Sequence, residues 1–223
     1  MLECLEARQI PSALLYDARG CFLFEEITRC REYYLTRTEM GLLRRAGSEL
    51  AHAMAGADII ELGSGSCEKI SVLLEAASLS GHVGRYIPID VSESSIDESA
   101  RALRRLHPNL VVQGIAADFF SGLERIPDGS RRLFCFLGST LGNLRERERA
   151  ALYHAVSRRM RRGETFLLGI DLVKDPGVIE AAYNDSAGVT AAFNLNVLNA
   201  INRLAGTDLD PKRFRHVAFY DQE

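Results

Sequence analysis

The chain has 223 residues, 47% of them hydrophobic and 26% charged, a balance that lets a globular protein bury its own core. Its formal net charge of −3 supplies no general attraction to nucleic acid or to an anionic membrane surface. No apolar run approaches the ~20 residues that cross a bilayer, and the start MLECLEARQIPS lacks the basic and apolar regions of a secretion signal.

Residues 1–37 hold aromatic side chains without a clear period: Tyr16, Phe22, Phe24, Tyr33 and Tyr34. Thr36-Arg-Thr-Glu39 reads as a capping box, opening a helix whose apolar face is Leu42, Leu43, Leu50 and Ala53. From Asp58 onward, short apolar runs alternate with amphipathic segments, the pattern of βα units on a parallel sheet. The predicted strands are Asp58–Leu62, Tyr86–Asp90, Leu110–Ile115, Leu133–Leu137 and Thr165–Asp171, each rich in β-branched or aromatic residues.

Between them, apolar residues recur at helical spacing. Ile70, Leu73, Leu74 and Ala77 follow the first strand; Ile96, Ala100 and Leu103 follow the second. Leu152, Ala155, Val156 and Met160 follow the fourth, with Gly163 as the expected helix stop. Residues 177–206 read as helical and asparagine-rich. The fold class is therefore α/β and Rossmann-like, with a core over 38–173 and a smaller cap built from 1–37 and 174–223.

The five cysteines are irregularly spaced and form no C-x-x-C pair, and no two histidines sit at i, i+4. Neither a disulfide framework nor a metal site is predicted, and the expected location is cytoplasmic. Arg158, Arg159, Arg161 and Arg162 fall at a helix C-terminus, where cations complement the dipole and stay solvated. Nucleic-acid binding is not expected.

In an open parallel sheet, ligands bind beyond the carboxyl ends of the strands. Those ends carry Glu61-Leu-Gly-Ser-Gly-Ser66, Asp90, Asp118-Phe119, Gly138-Ser-Thr-Leu-Gly-Asn143 and Asp171. Gly63 and Gly65 allow a tight turn with close backbone approach to a ligand. Asp90 is placed to accept from both ribose hydroxyls; Asp118 is placed to accept from an adenine amino group, with Phe119 against the base. Gly63 and Gly65 also fit an ordinary strand-to-helix turn, and the two aspartates also fit N-caps. A dinucleotide fingerprint wants a third glycine where this chain has Glu68, and a carboxylate there repels a pyrophosphate. S-adenosylmethionine (SAM), which has no phosphate, fits better.

Longer segments carry a resemblance. Phe24-Glu-Glu-Ile-Thr-Arg29, Glu32-Tyr-Tyr34, Glu61-Leu-Gly-Ser-Gly65, Phe136-Leu-Gly-Ser-Thr-Leu-Gly-Asn-Leu144 and Asn184-Asp-Ser-Ala-Gly-Val-Thr-Ala-Ala-Phe-Asn194 resemble the histidine-specific SAM-dependent Nα-methyltransferases of ergothioneine biosynthesis. That family also includes fungal N-methyltransferases of prenylated tryptophan. The resemblance implies a SAM-dependent methyltransferase core with a substrate-binding cap, no metal, and up to three methylations of the α-amine of L-histidine. It places cofactor contacts on Gly63, Lys69, Asp90, Asp118 and Phe119. It places substrate contacts on Tyr33 and Asn143, which hold the imidazole, and on Tyr183 near the carboxylate. Tyr33 and Asn143 are the residues expected to align the reaction.

Family members continue well beyond the point where this sequence stops, Phe219-Tyr-Asp-Gln-Glu223. The resemblance thus implies an incomplete cap and a core lacking its last strands, with an unpaired sheet edge inviting self-association. Two alternatives stand beside an active histidine enzyme: a truncated or degraded member that binds SAM without turnover, and an N-methyltransferase of another amino acid such as a tryptophan derivative.

Overall fold

The computed structural model describes residues 10–78, 83–129 and 131–221. In chain order these hold α1 (Ala18–Arg29), α2 (Leu35–Met54), β1 (Asp58–Leu62), α3 (Glu68–Ser78), β2 (Arg85–Asp90) and α4 (Glu93–Leu106). Then follow β3 (Val111–Val112), β4 (Ile115–Ala116), α5 (Phe119–Glu124), β5 (Arg132–Phe136), α6 (Glu146–Arg159) and β6 (Thr165–Leu168). Helices α7 (Pro176–Tyr183) and α8 (Val189–Ala205) come last. The chain separates into two compact units, residues 37–171 and residues 1–36 with 172–223.

The unit of residues 37–171 is built on a sheet of order β3-β2-β1-β5-β6, with β4 also pairing with β2. Every pairing is parallel. Central β1 sets Leu62 beside Ile89 of β2 and beside Phe136 of β5, so the strands end on one common edge. Strand side chains alternate between faces, which gives two cores. On one face Ile59, Tyr86, Leu133 and Cys135 pack with Leu43, Ile70, Leu73 and Leu103 of the helices. On the other, Ile60, Leu62, Ile89 and Phe134 pack with Leu123, Leu152 and Val156. Covering helices on both faces require crossover connections, and these make the sheet parallel. This is the predicted Rossmann-like α/β core.

Several expectations need correction. The run Leu110–Ile115 is two short strands, Val111–Val112 and Ile115–Ala116, and Gly114 between them lies so close to α4 that a Cβ would sit 2.2 Å from Ile96 Cγ2. Leu42 is 52% exposed; the buried face of α2 runs instead through Leu43, Gly47, Ala51 and Met54. No capping box opens that helix at Thr36: it begins at Leu35, and the Glu39 carboxylate is taken by the Gly138 N–H and by Lys69. Helix α6 stops at Met160 rather than Gly163, where Arg132 bonds the Arg159 carbonyl. Arg159 and Arg161 are not merely solvated, since they bond the Ile126 and Gly129 carbonyls.

In the second unit, α1 is capped by Asp17, whose side chain accepts from the Gly20 N–H. The same carboxylate accepts from Asn196 at 2.8 Å and pairs with Arg203, both on α8. The asparagines noted in the sequence close loops as well: Asn202 accepts from the Leu209 N–H and donates to its carbonyl, each at 2.8 Å. Between α1, α7 and α8 lies an aromatic core around Leu23, Ile27, Tyr33 and Phe193. No described helix is long and apolar enough to cross a membrane.

Candidate functional site

The carboxyl edge of the sheet gathers most of the predicted site. After β1 the chain turns through Gly63 (φ +65°) and Gly65 (φ +49°), conformations that a Cβ makes costly. The Gly63 N–H donates to the Ile89 carbonyl at 2.8 Å, continuing the ladder one step beyond β1. A Cβ on Gly65 would meet nothing within 4 Å; the space in front of the turn is open.

Asp90, at the tip of β2, accepts from the Gly65 N–H at 2.9 Å through Oδ2 and from the Ser92 N–H at 2.9 Å through Oδ1. Its carboxylate is thereby fixed in orientation, with acceptor capacity left on each oxygen. Asp118 caps α5, taking the Phe120 and Ser121 N–H groups on Oδ1 and the Ser121 hydroxyl on Oδ2. Its carboxyl is held below its ordinary value, chiefly by the Ser121 hydroxyl bond, which outweighs partial burial. Phe119 stands edge-on to Phe136, ring centroids 5.2 Å apart. The Phe119 ring also approaches Gly63 so closely that a Cβ there would lie 3.4 Å from it.

Lys69, in the first turn of α3, pairs with Glu39 at 3.3 Å. Asn143 is exposed at the end of the 3-10 turn Thr140–Asn143 that follows β5. In the other unit, Tyr33 is buried and Tyr183 is 40% exposed. Their rings meet edge-on with centroids 6.1 Å apart, and Phe24 backs Tyr33. The structure thus brings Tyr33 and Tyr183 together in one unit and assembles the six other predicted residues on the carboxyl edge of the other.

The whole sequence, residues 1–223, matches the family described as histidine-specific methyltransferase, SAM-dependent. The chain belongs to this family. Histidine N-alpha-methyltransferase of Mycobacterium tuberculosis is 44% identical over 211 residues, covering 95% of this chain and 66% of that protein. Histidine N-alpha-methyltransferase of Mycolicibacterium smegmatis is 42% identical over 217 residues, covering 97% and 67%. Ergothioneine biosynthesis protein 1 of Neurospora crassa is 32% identical over 232 residues, covering 96% of this chain and 26% of that protein. The chain therefore spans about two thirds of the length of the two histidine relatives.

SAM is the methyl donor of this histidine-specific methyltransferase family, and the carboxyl edge fits it. The open space before Gly65, the fixed acceptor on Asp90 and the apolar rim at Phe119 suit an uncharged adenosine. The Ser64 hydroxyl, in the same turn, is buried without a hydrogen-bond partner among the described residues.

Sequence reasoning placed two acids of this family member outside the site. Glu39 is one. The other is Glu61, the last residue but one of β1, which is 1% exposed and accepts from the Tyr86 hydroxyl at 2.5 Å. Burial raises its carboxyl to about 7, against the lowering effects of the Tyr86 bond and the Lys69 charge; Glu39 and Asp90 add to the rise. Its position immediately before Leu62-Gly63 was the available signal, but its charge state depends on burial that composition does not show.

A stability prediction follows. Between the unfolded value of 4.5 and the folded value of about 7, the native state holds a proton that the unfolded chain has released. Stability therefore falls as pH rises through this window, by on the order of 3 kcal/mol. Glu61→Gln keeps an acceptor for Tyr86 and should remove most of that slope. Urea midpoints at pH 5 and pH 8 check it; parallel behaviour of variant and wild type would refute the assignment.

Proposed function

We propose that the chain methylates the α-amine of L-histidine with SAM, up to the trimethylated product. The match of the entire chain to the SAM-dependent histidine-specific family carries this reading, supported by 44% identity to a histidine N-alpha-methyltransferase. Gly63, Lys69, Asp90, Asp118 and Phe119 bind the cofactor; Tyr33, Asn143 and Tyr183 bind the substrate. Residues 1–37 and 174–223 act as the substrate cap, and residues 38–173 as the SAM-binding core. The protein works in the cytoplasm on a small molecule, without nucleic acid or metal. The β6 edge, which has β5 as its strand neighbour, is a surface for self-association.

The bound donor supplies a methyl group on a cationic sulfur, open to in-line attack by an amine lone pair. The protein's own residues then have mainly to align and desolvate. The Asn143 amide and the Tyr33 hydroxyl can each donate or accept, so they hold a neutral imidazole without placing a charge beside it. Correct alignment at near-attack distance supplies much of the acceleration. Desolvating the substrate ammonium lowers its pKa and releases the lone pair without a dedicated strong base.

Mass spectrometry of SAM, purified chain and a mixture of free amino acids tests the activity. Mono-, di- and trimethylhistidine are expected; methylation of another amino acid, or none from folded protein, would overturn the reading. Within it, Asn143→Ala should weaken histidine binding about tenfold or more through loss of its hydrogen bonds, leaving SAM binding nearly unchanged. Equal loss of both ligands in calorimetric titrations would reject that division of labour.

A further inference from the structure

We infer that Glu39 is a positioning residue of the methyl-transfer site, holding with one carboxylate both the turn that leads to Asn143 and the ammonium of Lys69. The inference rests on the histidine-methyltransferase reading for its kinetic consequence, though not for its structural one. Glu39 lies in the second turn of α2, and both of its oxygens accept from the Gly138 N–H, at 2.8 and 2.9 Å. The second oxygen also lies 3.3 Å from Lys69 Nζ, with the two side chains 14% and 17% exposed. One side chain therefore joins three elements that the sequence places far apart: α2, the start of α3 and the end of β5.

The turn that Glu39 grips needs holding. Gly138 has φ +79°, and Ser139 at φ 57° is the one non-glycine residue with positive φ among the described residues. That backbone is strained and persists when surrounding contacts over-determine it. Ser139 adds one such contact, its hydroxyl accepting from the Asp171 N–H at 3.0 Å. Thr140 adds another, its hydroxyl donating to the Leu137 carbonyl at 3.0 Å. The space is shaped around the carboxylate: a Cβ on Gly169 would lie 1.9 Å from Glu39 Oε1, and one on Gly138 would lie 2.6 Å from Lys69 Nζ. From Ser139 the chain runs directly into the 3-10 turn that ends at Asn143.

A charged acceptor on a backbone N–H is a strong anchor, and its loss leaves that N–H unpaired in a largely buried place. Local opening of the turn should follow, which amide exchange reads directly. Hydrogen exchange over residues 138–144, with histidine kinetics at saturating SAM, is measured for wild type, Glu39→Gln, Glu39→Ala and Glu39→Asp. Glu49→Gln, at an exposed position of the same helix, is the control. In Glu39→Ala, exchange in this segment should accelerate about tenfold, and the KM for histidine should rise about as much while kcat changes less. Glu39→Gln retains an oxygen for the Gly138 N–H and should restore most of the protection and the KM.

Glu39→Asp keeps the charge but withdraws it by one methylene. It should show the selective acceleration even where the alanine variant fails to fold. Unchanged exchange over 138–144 in both Glu39→Ala and Glu39→Asp would overturn the inference. So would glutamine being no better than alanine, or a uniform rise in exchange across the sheet, which marks a purely structural role. If the wild type methylates no histidine, the functional reading fails by itself, and the exchange data still decide the placement of Glu39.

Discussion

Replacing Asp90 by alanine should weaken SAM binding by about 100-fold or more, since two hydrogen bonds to a charged group are worth roughly 1.5–3 kcal/mol each. The expectation rests on the carboxylate being fixed before any ligand arrives. Oδ2 already holds the Gly65 N–H and Oδ1 the Ser92 N–H, each at 2.9 Å. A group preorganised in this way loses little entropy on meeting a ribose. Alanine removes the proposed ribose contacts and also releases the glycine turn that approaches the ligand. Asparagine is no remedy: each carboxylate oxygen faces a backbone donor, so its NH2 must face an N–H whichever way the amide is turned. Calorimetric titration of SAM into wild type, Asp90→Ala and Asp90→Asn gives the answer, with thermal unfolding run alongside. A dissociation constant within about threefold of wild type in a folded Asp90→Ala protein would remove Asp90 from the site.

The largest stability effect is expected at the opposite end of the sheet. Arg132 and Glu164 pair at 2.9 Å with side chains 3% and 2% exposed, and Arg132 also bonds the Arg159 carbonyl. Burial works against ionisation of Glu164, but the Arg132 guanidinium and the Arg161 N–H outweigh it and hold the carboxyl below its ordinary value. Arg132→Met leaves that carboxylate buried with its main partner gone, a loss of about 3–5 kcal/mol. Adding Glu164→Leu should recover part of it, because a buried apolar pair costs far less than a lone buried charge. Recovery should be incomplete, since Glu164 also accepts from the Arg161 N–H at 2.7 Å. Urea denaturation of the two single variants and the double variant decides this. A single-variant loss below about 1 kcal/mol, the scale of a surface pair, would show that the pair is solvated.

The two regions were not equally legible in the sequence. Asp58–Leu62, and the strand predicted at Leu133–Leu137 and found at Arg132–Phe136, could be seen because strands buried on both faces are written mostly in apolar residues. Ile70, Leu73, Leu74 and Ala77 could be found because a helix packed on a sheet buries one stripe. Gly63, Gly65, Asp90 and Asp118 could be placed because strand ends in a parallel sheet share an edge, so order along the chain becomes proximity in space. Helix ends were harder to place. Thr36-Arg-Thr-Glu39 has the spacing of a capping box, yet Glu39 binds the N–H of Gly138, 99 residues away, and a local motif competes poorly with a charged tertiary contact. Met160 ends α6 three residues before the glycine that signalled a stop.

The sequence by itself determined the alternation of strands and helices, the turn glycines, the acids at the strand ends and the family to which the chain belongs. These are local patterns, or patterns whose spacing the fold converts to proximity. Only the tertiary structure decided that Leu42 faces solvent, that Gly114 packs closely against Ile96 between two short strands, that Glu61 is buried and titrates near 7, and that Glu39 clamps the Asn143 turn. Each depends on what a side chain meets across the fold, and burial and distant partners set those free energies far more than neighbours in sequence do.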